Sequence, residues 1–167
     1  MKRSIAVLGM ALTVAITAVS GAACAQATQK QLIGGWTVTS VVNEDAGQKL
    51  EPYGPNPMGY MSLDANGHYS IQLMRPDLPK IASNNRIKTT PEESAAIAQG
   101  ILSHFGTWKL VDPKTGEVTF HIQGGSFPNW YGMDQKRFIM VKGDTLTLTN
   151  PTSPIAGTAT VIWKRAK

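Results

Sequence analysis

Apolar and polar residues alternate with a period of two through most of this chain, most plainly between Met58 and Pro76, M-G-Y-M-S-L-D-A-N-G-H-Y-S-I-Q-L-M-R-P. That pattern predicts two strands folded back at Asp64-Ala65-Asn66-Gly67. Asn tolerates positive φ and Gly adopts it without steric cost, so the chain can reverse there. Two registers compete. A two-residue Asn-Gly loop pairs Leu63 with Ser70 and mixes apolar and polar groups on both faces. A three-residue loop with Gly67 as the left-handed bulge residue pairs Leu63 with Tyr69. The second register sorts Met61, Leu63, Tyr69, Ile71 and Leu73 onto one face, and Tyr60, Ser62, Asp64, His68, Ser70 and Gln72 onto the other. A slip of one residue destroys this sorting, so the bulged register is expected, in a sheet with one dry face and one wet face.

The same period marks further strands at Trp36 to Val42, around Trp108 and Leu110, at Val118 to Ile122, Gln135 to Val141, Thr145 to Thr149 and Ala159 to Trp163. Turn residues separate them, at Asp112-Pro113-Lys114-Thr115-Gly116 and at Lys142-Gly143-Asp144. Leu50 to Pro57 is too rich in proline for a central strand. No period is visible from Pro76 to Thr90. One helix is expected over about 91–105: Thr90 suits the N-cap, Pro91 the first helical position, and Glu93 completes a capping box. Ile97, Ile101, Leu102 and Phe105 follow at helical spacing, and Gly106 is a plausible terminator. Short sequential strands with turn signals between them make an all-β fold, an eight-stranded antiparallel up-and-down barrel with one inserted helix. A barrel of that size either fills itself with side chains or encloses one small ligand.

The amino terminus follows another rule. Lys2 and Arg3 precede an uncharged, mostly apolar run from Ile5 to Val19, and both Ala23-Cys24-Ala25 and Ala25-Gln26-Ala27 match an A-x-A cleavage site. Residues 1–27 therefore read as a signal peptide and 28–167 as a single domain of an exported, periplasmic or secreted protein. The apolar run is short for a spanning helix, which needs roughly 20 residues, so no membrane span is expected in the mature form. Gly21-Ala22-Ala23-Cys24 offers lipoprotein processing as the alternative. Cleavage at either A-x-A site removes the single cysteine, and the domain must be stabilised by its core without a disulfide. Loss of Lys2 and Arg3 also takes the basic residues from 16 to 14 against 11 acidic, a net charge of +3 in place of +5. These charges form no aromatic-interleaved basic stripe, so nucleic acid is not an expected partner.

Three segments, G-Y-M-S-L-D-A-N-G-H-Y-S-I-Q-L-M-R-P-D, H-F-G-T-W and S-F-P-N-W-Y-G-M-D-Q-K-R-F, resemble the lipocalin-like domain family of small proteins. The resemblance runs from about Leu32 to Lys164. Gly34-Gly35-Trp36 is similar to the G-x-W that opens the first strand of true lipocalins. Their second and third motifs are missing, and the expected helix lies between the third and fourth strands instead of near the end. The resemblance implies a lipocalin-like barrel and does not bring with it the ligands of true lipocalins.

No catalytic signature stands out: the mature region has no cysteine, no G-x-S-x-G elbow and no Walker loop. His68, His104 and His121 lack the spacing of a zinc site, and Asp64-Ala65-Asn66-Gly67 lacks the glutamate that would complete a calcium loop. Neither a metal nor a cofactor is expected. The arginines say more. Arg75 continues the phase of Tyr69, Ile71 and Leu73, and Arg137 is in phase with Ile139 and Val141. If both point inward, two guanidinium groups enter an apolar cavity, where each needs a carboxylate or an anionic ligand. The alternative is that one or both sit at a strand end and reach solvent.

Phe127, Trp130 and Tyr131 can line the mouth of a cavity with Asn129 as a polar contact, or plug it. Tyr60, Gln72 and His121 are further polar candidates, although the expected register puts Tyr60 and Gln72 outside. The candidate ligand-binding set is Tyr60, Tyr69, Gln72, Arg75, His121, Asn129, Trp130 and Arg137, with Met61, Leu63, Ile71 and Trp163 against the apolar body of the ligand. A preformed apolar pocket with a few fixed polar groups describes a binder of a small hydrophobic or amphipathic molecule. An isomerase, cyclase or hydratase could use the same barrel, with His121 or Tyr69 as acid or base and an arginine stabilising an oxyanion. A filled barrel would be an interaction module. The oligomeric state is not legible in the sequence.

Overall fold

The computed structural model describes residues 27–167. The predicted signal peptide falls outside the described residues, apart from Ala27. A single turn of helix, α1 (Gln29–Leu32), opens the domain, capped by Thr28 in a reciprocal box with Gln31. Nine strands follow among the described residues: β1 (Gly34–Asp45), β2 (Gln48–Leu50), β3 (Met58–Leu63), β4 (His68–Met74), β5 (Ile101–Asp112), β6 (Glu117–Gly125), β7 (Asp134–Lys142), β8 (Thr145–Asn150) and β9 (Thr158–Arg165). Helix α2 (Pro91–Gly100) lies between β4 and β5, and a short 3-10 turn (Pro128–Trp130) lies between β6 and β7.

All pairings are antiparallel, and β1 pairs with both β3 and β9, so eight strands close into a barrel. The short β2 hangs on the far end of β1 as an edge, next to the proline-rich connection. The β3–β4 hairpin has the bulged register: Met61 faces Ile71 and Leu63 faces Tyr69. Its turn is held by Asp64, whose Oδ1 accepts from the amides of Asn66 at 2.9 Å and His68 at 2.8 Å. Gly67 takes φ +85°, a conformation few other residues tolerate.

The expected helix is too long by one turn or more. It ends at Gly100, and Ile101, Leu102 and Phe105 belong to β5, paired with Met74, Leu73 and Ser70. Their helical spacing is incidental. The strand period through Leu102, His104, Gly106 and Trp108 is masked because two of its four inward positions are not apolar. Gly106 must be glycine, since a Cβ there would stand 1.9 Å from the His121 carbonyl oxygen. The helix start is as expected: Thr90 and Glu93 cap each other reciprocally.

One end of the barrel is filled and closed. Trp36, Met61, Leu63, Val118, Leu146 and Trp163 are almost wholly buried, and Leu32 of α1 seals them. Trp36 donates its indole N–H to the Leu32 carbonyl at 2.9 Å. The Arg165 guanidinium lies 4.1 Å from the centre of the Trp36 ring and donates to the carbonyls of Ile33 and Gln31. A bulge near Thr39 shifts the phase of β1, so that Trp36 and Val38 point inward at the closed end while Val41 and Asn43 do so further along.

Candidate functional site

At the other end the core gives way to a cavity of about 70 Å³. Its apolar walls include Val41, Ile71, Leu73, Phe120, Leu148, Val161 and Trp163, which are inward positions of five strands. Trp130 reaches in from the 3-10 turn, and Ser153, Pro154 and Ile155 close over the mouth from the β8–β9 loop. That loop is tied down by Asn43, whose amide donates to Ser153 Oγ at 2.6 Å and to the Ala156 carbonyl at 2.8 Å.

Arg137 is the one cation of the lining. It occupies an inward position of β7 and is only 8% exposed. Its Nη1 donates to the carbonyl of neighbouring Lys136 at 2.8 Å, and its Nη2 donates to Gln135 Oε1. No carboxylate answers it: the ion pairs among the described residues are Arg75–Asp77, His121–Asp134, Lys136–Glu117 and Arg165–Asp144. Burial pulls the guanidinium down to about 10, which leaves it charged at neutral pH.

Beside it, Tyr69 Oη and His104 Nδ1 meet at 2.9 Å. His104 lines the cavity and Tyr69 stands behind it, edge-on to Phe120 at 4.6 Å between ring centres. His104 in turn meets Trp130 edge-to-face at 5.6 Å. Burial, aided by the Arg137 charge, lowers His104 to about 4, so its imidazole is neutral at physiological pH. Burial raises the Tyr69 phenol well above its ordinary value although Arg137 acts against it, and that side chain is neutral too. A third buried group, the Trp163 indole N–H, has no acceptor among the described residues. Tyr53, brought in by the connection after β2, adds a phenol pushed up to about 12 by burial.

Of the residues singled out in the sequence, Trp130 and Arg137 line this cavity and Tyr69 backs it, while Ile71 and Trp163 belong to its apolar wall. The others lie elsewhere. Arg75 is the clearest correction: it follows the last residue of β4, and Pro76 turns the chain away, so its side chain swings outward to a two-point pair with Asp77 at 2.9 and 2.7 Å. Tyr60 and Gln72 face each other on the outer surface, where the Tyr60 ring covers Gly35. His121 is also outside, 2.7 Å from Asp134, and Asn129 is exposed. Met61 and Leu63 are buried at the filled end, away from the cavity. His104, Asn43, Tyr53, Gln135 and Asn150 are lining residues that the sequence did not single out. His104 was hidden by the overlong helix and Asn43 by the bulge in β1. Among the described residues, no group of His, Cys, Asp and Glu is placed to hold a metal ion.

The profile of the lipocalin-like domain family matches residues 33–166. A relative named 4'-hydroxy-3'-methoxypropiophenone carrier protein ppsC, from Aspergillus oryzae, is 32% identical over 85 residues, which cover 48% of this chain and 77% of that protein. Among solved structures, a mutant of the fluorescent protein UnaG aligns over 83% of this chain and 99% of its own, with a TM-score of 0.37 and 13% identity. From β1 to β9 the matched span takes in every strand of the closed barrel, and the chain belongs to the lipocalin-like domain family.

Proposed function

We propose that this protein binds and carries a small amphipathic molecule, with an anionic head against Arg137 and an apolar body against Ile71, Leu73, Phe120 and Trp163. The observation that carries this reading is a buried guanidinium with no carboxylate partner among the described residues. A charge removed from water needs a counter-charge or strong acceptors, and two neighbouring carbonyl oxygens on its own strand are a thin substitute. A ligand oxyanion would supply the missing partner through charge-assisted hydrogen bonds. The relative's name describes the carrier of a small aryl ketone, a ligand class that suits the aromatic character of this cavity's walls.

The test is a titration of aromatic and aliphatic acids against their methyl esters, followed by tryptophan fluorescence and calorimetry. Acids should bind more tightly than esters, and Arg137→Met should weaken the acids roughly tenfold to a hundredfold. Arg137→Lys should not restore them, because lysine lacks the planar two-point contact. Equal binding of acids and esters would defeat the reading. One observation favours catalysis instead, the Tyr69–His104 contact. A histidine lowered to about 4 is a weak base at neutral pH, so carriage has the better support.

We also infer export, from the basic start, the apolar run and the paired A-x-A sites. Of the two sites, the first is favoured. Ala27 packs in the core at 3% exposure and Thr28 caps α1, so cutting after Ala27 would remove a core residue and place a new positive charge at a helix N-terminus. Intact mass of the exported protein should begin at Gln26. A retained Met1 or a lipidated Cys24 would show the inference wrong.

A further inference from the structure

We propose that the cavity is an oxyanion site for single-ring aromatic ligands, which holds carboxylates and carbonyl-activated phenols in their ionised form. This rests on the anionic-head reading above and narrows it to one chemical class.

Shape argues for one ring. His104, Phe120, Trp130 and Trp163 all contribute aromatic walls to a space of about 70 Å³. An engineered cavity of about 150 Å³ accepts benzene, so even one flat ring requires this space to widen at its mouth, and nothing larger than one ring is expected to enter. A long chain has nowhere to run. Beyond the cavity, the barrel is plugged by Trp36, Met61 and Leu63, none more than 1% exposed.

Polarity argues for a ligand that accepts. A guanidinium carries five N–H donors, and two of Arg137's bonds go to Lys136 and Gln135 on its own strand.

Tyr69 sets the acidity limit. It is a phenol that feels Arg137 without touching it, and burial still keeps it protonated. An ordinary phenol in the cavity should stay neutral for the same reason. Two things would tip the balance: direct contact with the guanidinium, and a para carbonyl that spreads the charge of the phenolate. The proton leaves to the buffer and the oxyanion stays on Arg137. A ligand carrying both features therefore ionises on binding.

The probes are 4-hydroxyacetophenone, phenol, benzoate, methyl benzoate and a long-chain fatty acid, titrated at pH 7, where the free acyl phenol is mostly protonated. Phenolate formation is read from the red shift of its near-ultraviolet absorbance. The bound acyl phenol should be mostly phenolate, an apparent acidity at least tenfold above that in solution, while phenol shows no shift. Arg137→Met should abolish the shift. It should also weaken the binding of benzoate, with near-ultraviolet circular dichroism checking the fold. Tyr60→Phe, on the outer face, should change neither.

If the acyl phenol binds without a red shift, or if the shift survives Arg137→Met, the oxyanion proposal is overturned. Tighter binding of the fatty acid than of benzoate would overturn the single-ring class. Benzoate that still prefers the wild-type arginine over Arg137→Met, alongside a bound phenol that stays neutral, would leave the anionic-head reading standing and remove only this refinement.

Discussion

Arg165 and Arg137 occupy opposite ends of the barrel, and their surroundings differ. Arg165 lies over the Trp36 ring, donates to two carbonyls and keeps part of its side chain in water. Its cation is stabilised from every side and its carbon stem covers a tryptophan. Arg137 is deeper, bonds only along its own strand and stands next to a void. At the closed end a cation completes the packing. At the open end a cation is left incomplete, as a binding site must be before its ligand arrives. The neutral pair Tyr69–His104 belongs with Arg137 in this respect, since a second charge there would repel it or satisfy it.

The contrast predicts unequal penalties for truncating a tryptophan at each end. Trp36→Ala should cost about 3–5 kcal/mol, the range for losing a large buried aromatic ring, and it also removes the surface on which Arg165 rests. Trp130→Ala, at the cavity mouth on a short turn, should cost about 1–2 kcal/mol and should mainly change ligand affinity. Urea midpoints with unchanged slopes would measure both. Similar losses at the two positions would erase the distinction between a structural and a functional end.

Protonation offers a second measure. His104 sits at about 4 when folded, against about 6.5 for a free histidine, so the unfolded chain takes up the proton first as pH falls. The stability contributed by the neutral imidazole is complete above about 6.5, drains away between about 6.5 and 4, and changes no further below that. Roughly 2.5 units correspond to about 3 kcal/mol. His104→Gln should flatten the dependence of the unfolding free energy over that window. A slope unchanged in His104→Gln would show that the buried imidazole does not carry it.

The barrel was legible in the sequence because its closed end obeys simple alternation. Trp36, Met61, Leu63, Trp108, Val118 and Trp163 are apolar residues at inward positions, flanked by polar outward ones. The open end was less legible for a physical reason. A cavity lining needs polar residues on the inward phase, and these interrupt the hydrophobic signal by which a strand is recognised. Asn43, His104, Arg137 and Asn150 all occupy inward strand positions. Arg137 was found because two apolar neighbours in phase followed it. His104 was lost because it lies between a helix terminus and a required glycine, where neither period is complete. Arg75 was misplaced because phase predicts direction only while the strand continues, and Pro76 ends it.

Replacing Arg137 should separate stability from function. With no counter-charge to orphan, Arg137→Met replaces a desolvated cation with an apolar chain of nearly the same volume. Exchanges of buried ionic groups for apolar ones of similar size are often stabilising, and a gain of about 1–3 kcal/mol is expected. The same change should abolish selectivity for acids. Trp36-end substitutions, including Arg165→Met, should lose stability instead, because there the cation has its full set of partners. Thermal unfolding without ligand would decide it. A destabilised Arg137→Met would mean that its bonds to Lys136 and Gln135 matter more than its burial, and that the open end is built like the closed one.

The smallest expected effect tests how far the open end is coupled to the barrel. Thr90 and Glu93 cap α2 reciprocally, and Thr90→Ala should cost about 1 kcal/mol of helix stability. Yet Gly100 is the only buried residue of α2, and the helix meets the barrel chiefly where it runs into β5. A weakly packed element opens by itself, at a free energy below that of global unfolding. The lost cap should therefore appear as roughly fivefold faster amide exchange in α2, with exchange in β4 and β5 unchanged and the urea midpoint barely moved. Thr28→Ala at the other end gives the contrast: α1 presses Leu32 onto Trp36, so loss of its cap should lower the global midpoint by a similar free energy. If Thr90→Ala instead lowered the global midpoint as much as Thr28→Ala does, α2 would be part of the cooperative core and the open end as firmly built as the closed one.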